Sequence, residues 1–221
     1  SDSALLYTKL LYAQAVKCED QKMQEVALIK QSLTMGIMGT YHHSNAQLDS
    51  LKKKIVTPEG LLQYMHVRRT IYGWLAEYTK ALSDVQESYT TLTELYRDSI
   101  LTLETDPISH AVCMADKEIS QGNIRAAESL LSGIKEQAKG EQLAYTLYNM
   151  ATVKKHLGQT DSLVHGVARA AIHGIRRGVT EYIALQELAV ALYERGEIER
   201  AYNYMVCAME DATFCNARLR S

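Results

Sequence analysis

Three glycines at nearly equal intervals constrain this chain more than any other feature. Gly122, Gly158 and Gly196 stand 36 and then 38 residues apart. Seven residues before each lies an alanine that follows a large apolar residue: Met114-Ala115, Met150-Ala151 and Leu188-Ala189. Five residues after each glycine come Ala127, Leu163 and Ala201, and twelve after come Ile134, Ala170 and Ala208. Positions seven apart are two helical turns apart and share one face. The pattern therefore describes a helix, a glycine turn needing positive φ, and a second helix whose small residues nest against the first. A unit of this kind cannot bury its apolar face alone, so successive copies must stack.

The interval is close to the roughly 34 residues of a tetratricopeptide repeat. The chain carries that signature in degenerate form, without the Trp at the fourth position or the closing Pro. Upstream, Tyr72-Gly73 and Met35-Gly36 fall 42 and 37 residues before the next pair and are expected to play the same large-plus-small role. Thr57-Pro58-Glu59 is a helix start, with Thr as N-cap and Pro at the first position, and Thr105-Asp106-Pro107 separates two units. Helices are expected over 2–19, 22–40, 44–54, 58–80, 85–104, 107–121, 124–138, 141–157, 160–177, 180–195 and 198–216. No stretch alternates with period two for long enough to be a strand. The fold class is all-α: a tetratricopeptide-like α-solenoid of about five helical hairpins plus a leading helix. It is read as one helical-repeat domain over 1–221, degenerate over 1–104 and clearer over 105–221. Both ends look cut, so the chain is expected to be a segment of a longer protein.

Composition closes off several functions. Hydrophobic residues make up 47% of the chain, enough for a continuous core, and only two prolines interrupt it. A formal net charge of −2 provides no basic field for nucleic acid. The cluster Arg169, Arg176 and Arg177 reads as a solvated helix face. No apolar run approaches the roughly 20 residues of a membrane span. Cys18, Cys113, Cys207 and Cys215 fit neither a redox motif nor a zinc site, and read as small buried hydrophobes. The histidines match no ligand spacing, and His42 and His43, being adjacent, diverge rather than chelate. We expect no metal, no cofactor and, with no nucleophile elbow or phosphate loop, no catalytic residues.

Tyrosine is the unusual component, at 14 residues against one Phe and one Trp. Most are expected to fill grooves between helices. The first helix of each repeat lines the concave side of a solenoid. Register there points to Trp74, Asp116, Tyr145, Tyr148, Asn149, Thr152, Lys155, Gln186 and Tyr193 as a groove for a ligand or partner. That lining lacks the basic set that would clamp a C-terminal carboxylate.

The stretch 182–220, and above all LYERGEIERAYNY and MEDATFCNARLR within it, resembles the membrane-anchored tetratricopeptide regulators of Bacteroides-type bacteria. The resemblance covers about 105–220 well, and SDSALLYTKLLYAQA is similar to the second helix of an early repeat in such proteins. It implies the extracytoplasmic, periplasmic sensory part of a membrane-bound transcriptional regulator, with the membrane helix and effector lying beyond this chain. Expected partners are a protein, a peptide or a small-molecule ligand, with a homodimer also in view, but no nucleic acid and no membrane span in this segment. The alternative is a structural tetratricopeptide adaptor that assembles proteins without sensing.

Overall fold

A computed structural model describes residues 2–178 and 182–214 of the 221-residue chain. The described residues form eleven α-helices and no strand. In order they are α1 (Asp2–Lys17), α2 (Gln21–Ile37), α3 (Tyr41–Leu51), α4 (Pro58–Tyr78), α5 (Ser83–Leu103), α6 (Pro107–Ser120), α7 (Ile124–Ile134), α8 (Gly140–His156), α9 (Thr160–Arg176), α10 (Tyr182–Glu194) and α11 (Ile198–Phe214). They fall into two compact units, 1–103 and 104–214. No described helix is long and apolar enough to cross a membrane.

The helix ends follow from their capping residues. Asp20, Thr57 and Asp106 each accept a hydrogen bond from the backbone N–H three residues on, and Pro58 and Pro107 occupy the first helical turn. Gly39, Gly122, Gly158 and Gly196 take φ of 77°, 80°, 67° and 78°. In each case the next residue's N–H reaches back to the carbonyl five residues earlier, as in Asn123 to Glu118 at 2.8 Å. These are Schellman-type stops, and they leave the chain free to reverse into the next helix. Expected residues 180–181 and 215–216, at the ends of the last hairpin's helices, lie outside the described residues.

The hairpins α2–α3, α4–α5, α6–α7, α8–α9 and α10–α11 pair as expected, with α1 packed on α2 ahead of them. In the first unit, α2 and α3 also meet α4. In the second, α6 and α7 meet α8, and α9 meets α10. The repeat positions do what their sizes require. Ala115, Ala151 and Ala189 on the first helices are buried, as are Ala127, Leu163 and Ala201 on the second helices.

One register differs from the sequence reading. The turn glycine of α2–α3 is Gly39, so the position seven residues earlier is Ser32, not Gly36. Ser32 and its partner at plus five, Ser44, are fully buried, and the Ser44 hydroxyl donates to the Ser32 carbonyl at 2.7 Å. This repeat thus uses serine where the others use alanine, and α3 begins at Tyr41, three residues before the expected start at 44. Gly36 has a separate job, because a Cβ there would lie 3.2 Å from both Ile71 and Trp74 on α4. Tyr72-Gly73 differs too: Gly73 is half-buried, α4 ends without a positive-φ residue, and the nearest atom to a Cβ on Gly73 belongs to Thr93 of α5, at 3.9 Å.

The cysteine expectation is corrected. Cys113 is buried, but Cys18 and Cys207 are exposed, on the turn after α1 and on α11; Cys215 lies outside the described residues.

Glu25 ties α2 to the start of α4. Its buried carboxylate accepts from the Val56 backbone N–H at 2.8 Å and the Thr57 hydroxyl at 2.7 Å. Gly60 leaves the necessary room, since a Cβ on it would meet Glu25 Oε2 at 2.3 Å and Thr57 Oγ1 at 2.7 Å. Relieving that clash breaks the tie. Gly60→Ala is therefore expected to cost about 2 kcal/mol of unfolding free energy, in the range of overpacked sites. Gly122→Ala meets open space and has only its φ of 80° to accommodate, for about 1 kcal/mol. Urea unfolding of both variants checks the order.

Candidate functional site

The first helices of the second unit carry polar and aromatic residues on faces turned from the core. Along α8, Tyr145, Tyr148, Asn149, Thr152 and Lys155 recur at helical spacing on one face, while Thr146, Leu147, Ala151 and Val153 point into the core. On α10, Gln186, Val190 and Tyr193 form the matching stripe, and all three are exposed. Asp116 is half-buried on α6.

Specific contacts knit these helices together. Gln142 at the start of α8 donates to the Asp106 carboxylate at 2.6 Å and the Ser109 hydroxyl at 2.9 Å, across to α6. At the other end of α8, Lys155 pairs with Glu187 of α10 at 3.0 Å. Tyr145 and Tyr193 stand out between them, 52% and 65% exposed. Tyrosine in such a setting offers a large rigid contact area with a hydrogen-bonding tip. These faces also carry both signs of charge and no cluster of one sign. Among the described residues no group of three or more His, Cys, Asp or Glu is placed to hold a metal ion. His42 and His43 lie edge to face, with ring centroids 5.8 Å apart.

Trp74 belongs to the first unit and has a different setting. It is half-buried beside Ile71, packed where α4 passes Gly36 of α2.

The first unit instead holds a buried polar cluster that the sequence reading did not find. The Arg68 side chain is 2% exposed. It donates from Nε to the Tyr64 hydroxyl at 3.0 Å, from Nη1 to Asn45 at 2.9 Å and the Tyr72 hydroxyl at 3.3 Å, and from Nη2 to Asp49. Tyr72 stacks between Tyr89 and Tyr96, with centroids 6.1 and 5.7 Å away, and Tyr64 meets Tyr96 edge to face. The guanidinium also sits over the Tyr64 and Tyr72 rings. Burial works against the Arg68 charge, but the Tyr64 and Asp49 hydrogen bonds outweigh it and raise its pKa. Burial raises the Tyr72 phenol, opposed by Arg68. Burial, reinforced by Tyr64, pushes Tyr96 up to about 12. The Arg68 donors are filled from within the protein, so we read this cluster as a pin between α3, α4 and α5 and not as a ligand site. The only trace in the sequence is the spacing of Tyr64, Arg68 and Tyr72, one helical face at i, i+4 and i+8.

Two carboxylates sit below their ordinary range. The Ser109 backbone N–H lowers Asp106 at the start of α6, and Lys154 with Arg125 lowers Glu128.

Packed helical hairpins with small residues at fixed positions define a tetratricopeptide-type repeat domain. The family comparison is more specific: the model described as the SusR N-terminal TPR domain matches residues 1–221. The chain belongs to that family. No curated protein matches it.

A phenol held protonated by burial stabilises the fold below its unfolded pKa near 10, and that contribution is lost as pH climbs toward the folded value. Ultraviolet titration of tyrosinate should therefore show a component ionising near pH 12 that Tyr96→Phe removes, with unfolding of the first unit favoured between pH 10 and 12. Loss of that component on Tyr193→Phe instead would contradict the assignment.

Proposed function

We propose that this chain is the non-catalytic sensory and interaction domain of a membrane-bound transcriptional regulator. Its place would be outside the cytoplasm, with the output region elsewhere in the same protein. The observation that carries the reading is the set of faces on α6, α8 and α10, where Tyr145 and Tyr193 are exposed on helices whose other faces are buried. Membership of a family described as an N-terminal repeat domain supports an input role. A protein, a peptide or a small nutrient-derived ligand would seat against Asp116, Tyr145, Tyr148, Asn149, Thr152, Lys155, Gln186 and Tyr193. The first unit would present Trp74 to the same class of partner.

Binding alone does not signal. The occupant must favour one of two states of the stacked hairpins, in curvature or self-association, by its difference in affinity for them. The α9–α10 and α6–α8 contacts are the places where such a change would be transmitted within the second unit.

A thermal-shift screen of peptides and oligosaccharides tests this. An occupant at 100 times its Kd stabilises by about 2.7 kcal/mol, which for a chain of this size raises Tm by roughly 5–10 °C. The shift should vanish in Tyr145→Ala/Tyr193→Ala, and the same compound should alter sedimentation. A hit that binds these faces yet leaves self-association and curvature unchanged contradicts the signalling mechanism.

A further inference from the structure

A second concavity lies in the other half of the α8 surface. Leu147, Met150, Ala151 and Lys154 on α8 follow the spacing i, i+3, i+4, i+7. So do Ser162, His165, Gly166 and Arg169 on α9. The two stripes face each other, and with Lys135 at the end of α7 they enclose a cavity of about 350 Å³. At 100° per residue this stripe lies on the face of α8 opposite the tyrosine face, so the two surfaces are separate.

Its floor is apolar. Leu147 and Ala151 are buried there, and the helices approach so closely that a Cβ on Gly166 would lie 3.3 Å from that of Ala151. Its rim is basic. The carboxylates nearby are already engaged: Glu128 takes Lys154 at 2.7 Å, and Asp161 takes Arg195 at 2.9 Å. Lys135, His165 and Arg169 have no ion-pair partner among the described residues. His165 and Arg169 lie one helical turn apart, so both reach the same part of the rim. The cavity thus pairs an apolar floor with Lys135, His165 and Arg169, none of them in an ion pair among the described residues, beside Lys154 and Asp161, which are paired with Glu128 and Arg195.

We propose that this cavity binds a small organic anion: an apolar body on the floor formed by Leu147, Met150 and Ala151, and a carboxylate or phosphate head held by Lys135 and Arg169. A volume near 350 Å³ is at the lower end of small-molecule sites, too small for a folded element of a partner. Arg169 supplies the planar fork that suits both heads, and Lys135 supplies a point charge. Arg176 and Arg177, which the sequence groups with Arg169, take no part in the lining.

The test uses the full chain labelled with nitrogen-15 and titrated with 4-phenylbutyrate, phenyl phosphate and the neutral 4-phenylbutanol, followed by amide chemical shifts. Saturable shifts at Leu147, Met150 and Gly166 are expected for the two anions. The alcohol should bind at least tenfold more weakly, and so should both anions to Lys135→Gln/Arg169→Gln. Tighter binding of phenyl phosphate supports a phosphate ester as the head group, and tighter binding of 4-phenylbutyrate supports a carboxylate. Ser162→Trp, at the exposed mouth, should abolish binding while leaving the remaining amide spectrum unchanged, which guards against a variant that fails to fold. No saturable shift at these amides overturns the proposal, as does equal affinity for acid and alcohol, or binding unaffected by the variants.

Discussion

Everything in this structure depends on how closely two helices of a hairpin can approach. The axes come together where a buried small residue on the first helix faces a buried residue on the second, five positions beyond the turn. Ala115 and Ala127, Ala151 and Leu163, Ala189 and Ala201, and Ser32 and Ser44 are buried at the same two positions of four hairpins, and Ser44 is hydrogen-bonded to Ser32. Around these positions the large neighbours join one hairpin to another: Leu131 packs in one cluster with Val153 of the following hairpin, and Leu188 in one cluster with Val167 and Ala171 of the preceding one. The positive-φ glycine is its complement, because it ends the first helix where the second can return at close range. What is left over on the first helix, facing away from the second, is free of packing duty. That is the face on which Tyr145 and Tyr193 stand, so the register that sets the core also sets the face proposed for recognition.

The serine repeat illustrates the constraint. A methyl group or a hydroxymethyl group fits the same space, but the hydroxyl must be satisfied once buried. Ser44 bonds the Ser32 carbonyl and Ser32 bonds the Leu28 carbonyl, both in positions a helix permits. The contact is preserved with a different chemical balance. The first unit departs further at α4–α5, where residues 79–82 join two 21-residue helices without a positive-φ glycine, and where Arg68 and four tyrosines pack together.

Much of this was legible in the sequence because the relevant signals are local. Helix ends at Thr57, Asp106, Gly158 and Gly196 are written in caps and breakers a few residues long, and the alanine positions follow from a period. The Ser32 register was hidden because Met35-Gly36, three residues on, offered a large-plus-small pair of its own. The Glu25 tie to Thr57, the Arg68 bond to Asn45 and the cavity between Lys135 and Arg169 join residues more than twenty positions apart. Those meetings are decided by how helices cross, and no spacing along the chain encodes them. The individual exposed faces of α8 and α10 were readable from helical periodicity. That Lys155 of one meets Glu187 of the other was not.

Two adjacent residues on α7 allow the central claim to be measured. Ala127 is fully buried at the close contact with α6, and Ala126 is exposed. If helix approach at the small position governs the fold, Ala127→Leu lowers the unfolding free energy in urea by about 1–3 kcal/mol, while Ala126→Leu stays within about 0.5 kcal/mol of the parent. Equal stabilities for the two leucine variants would contradict the account.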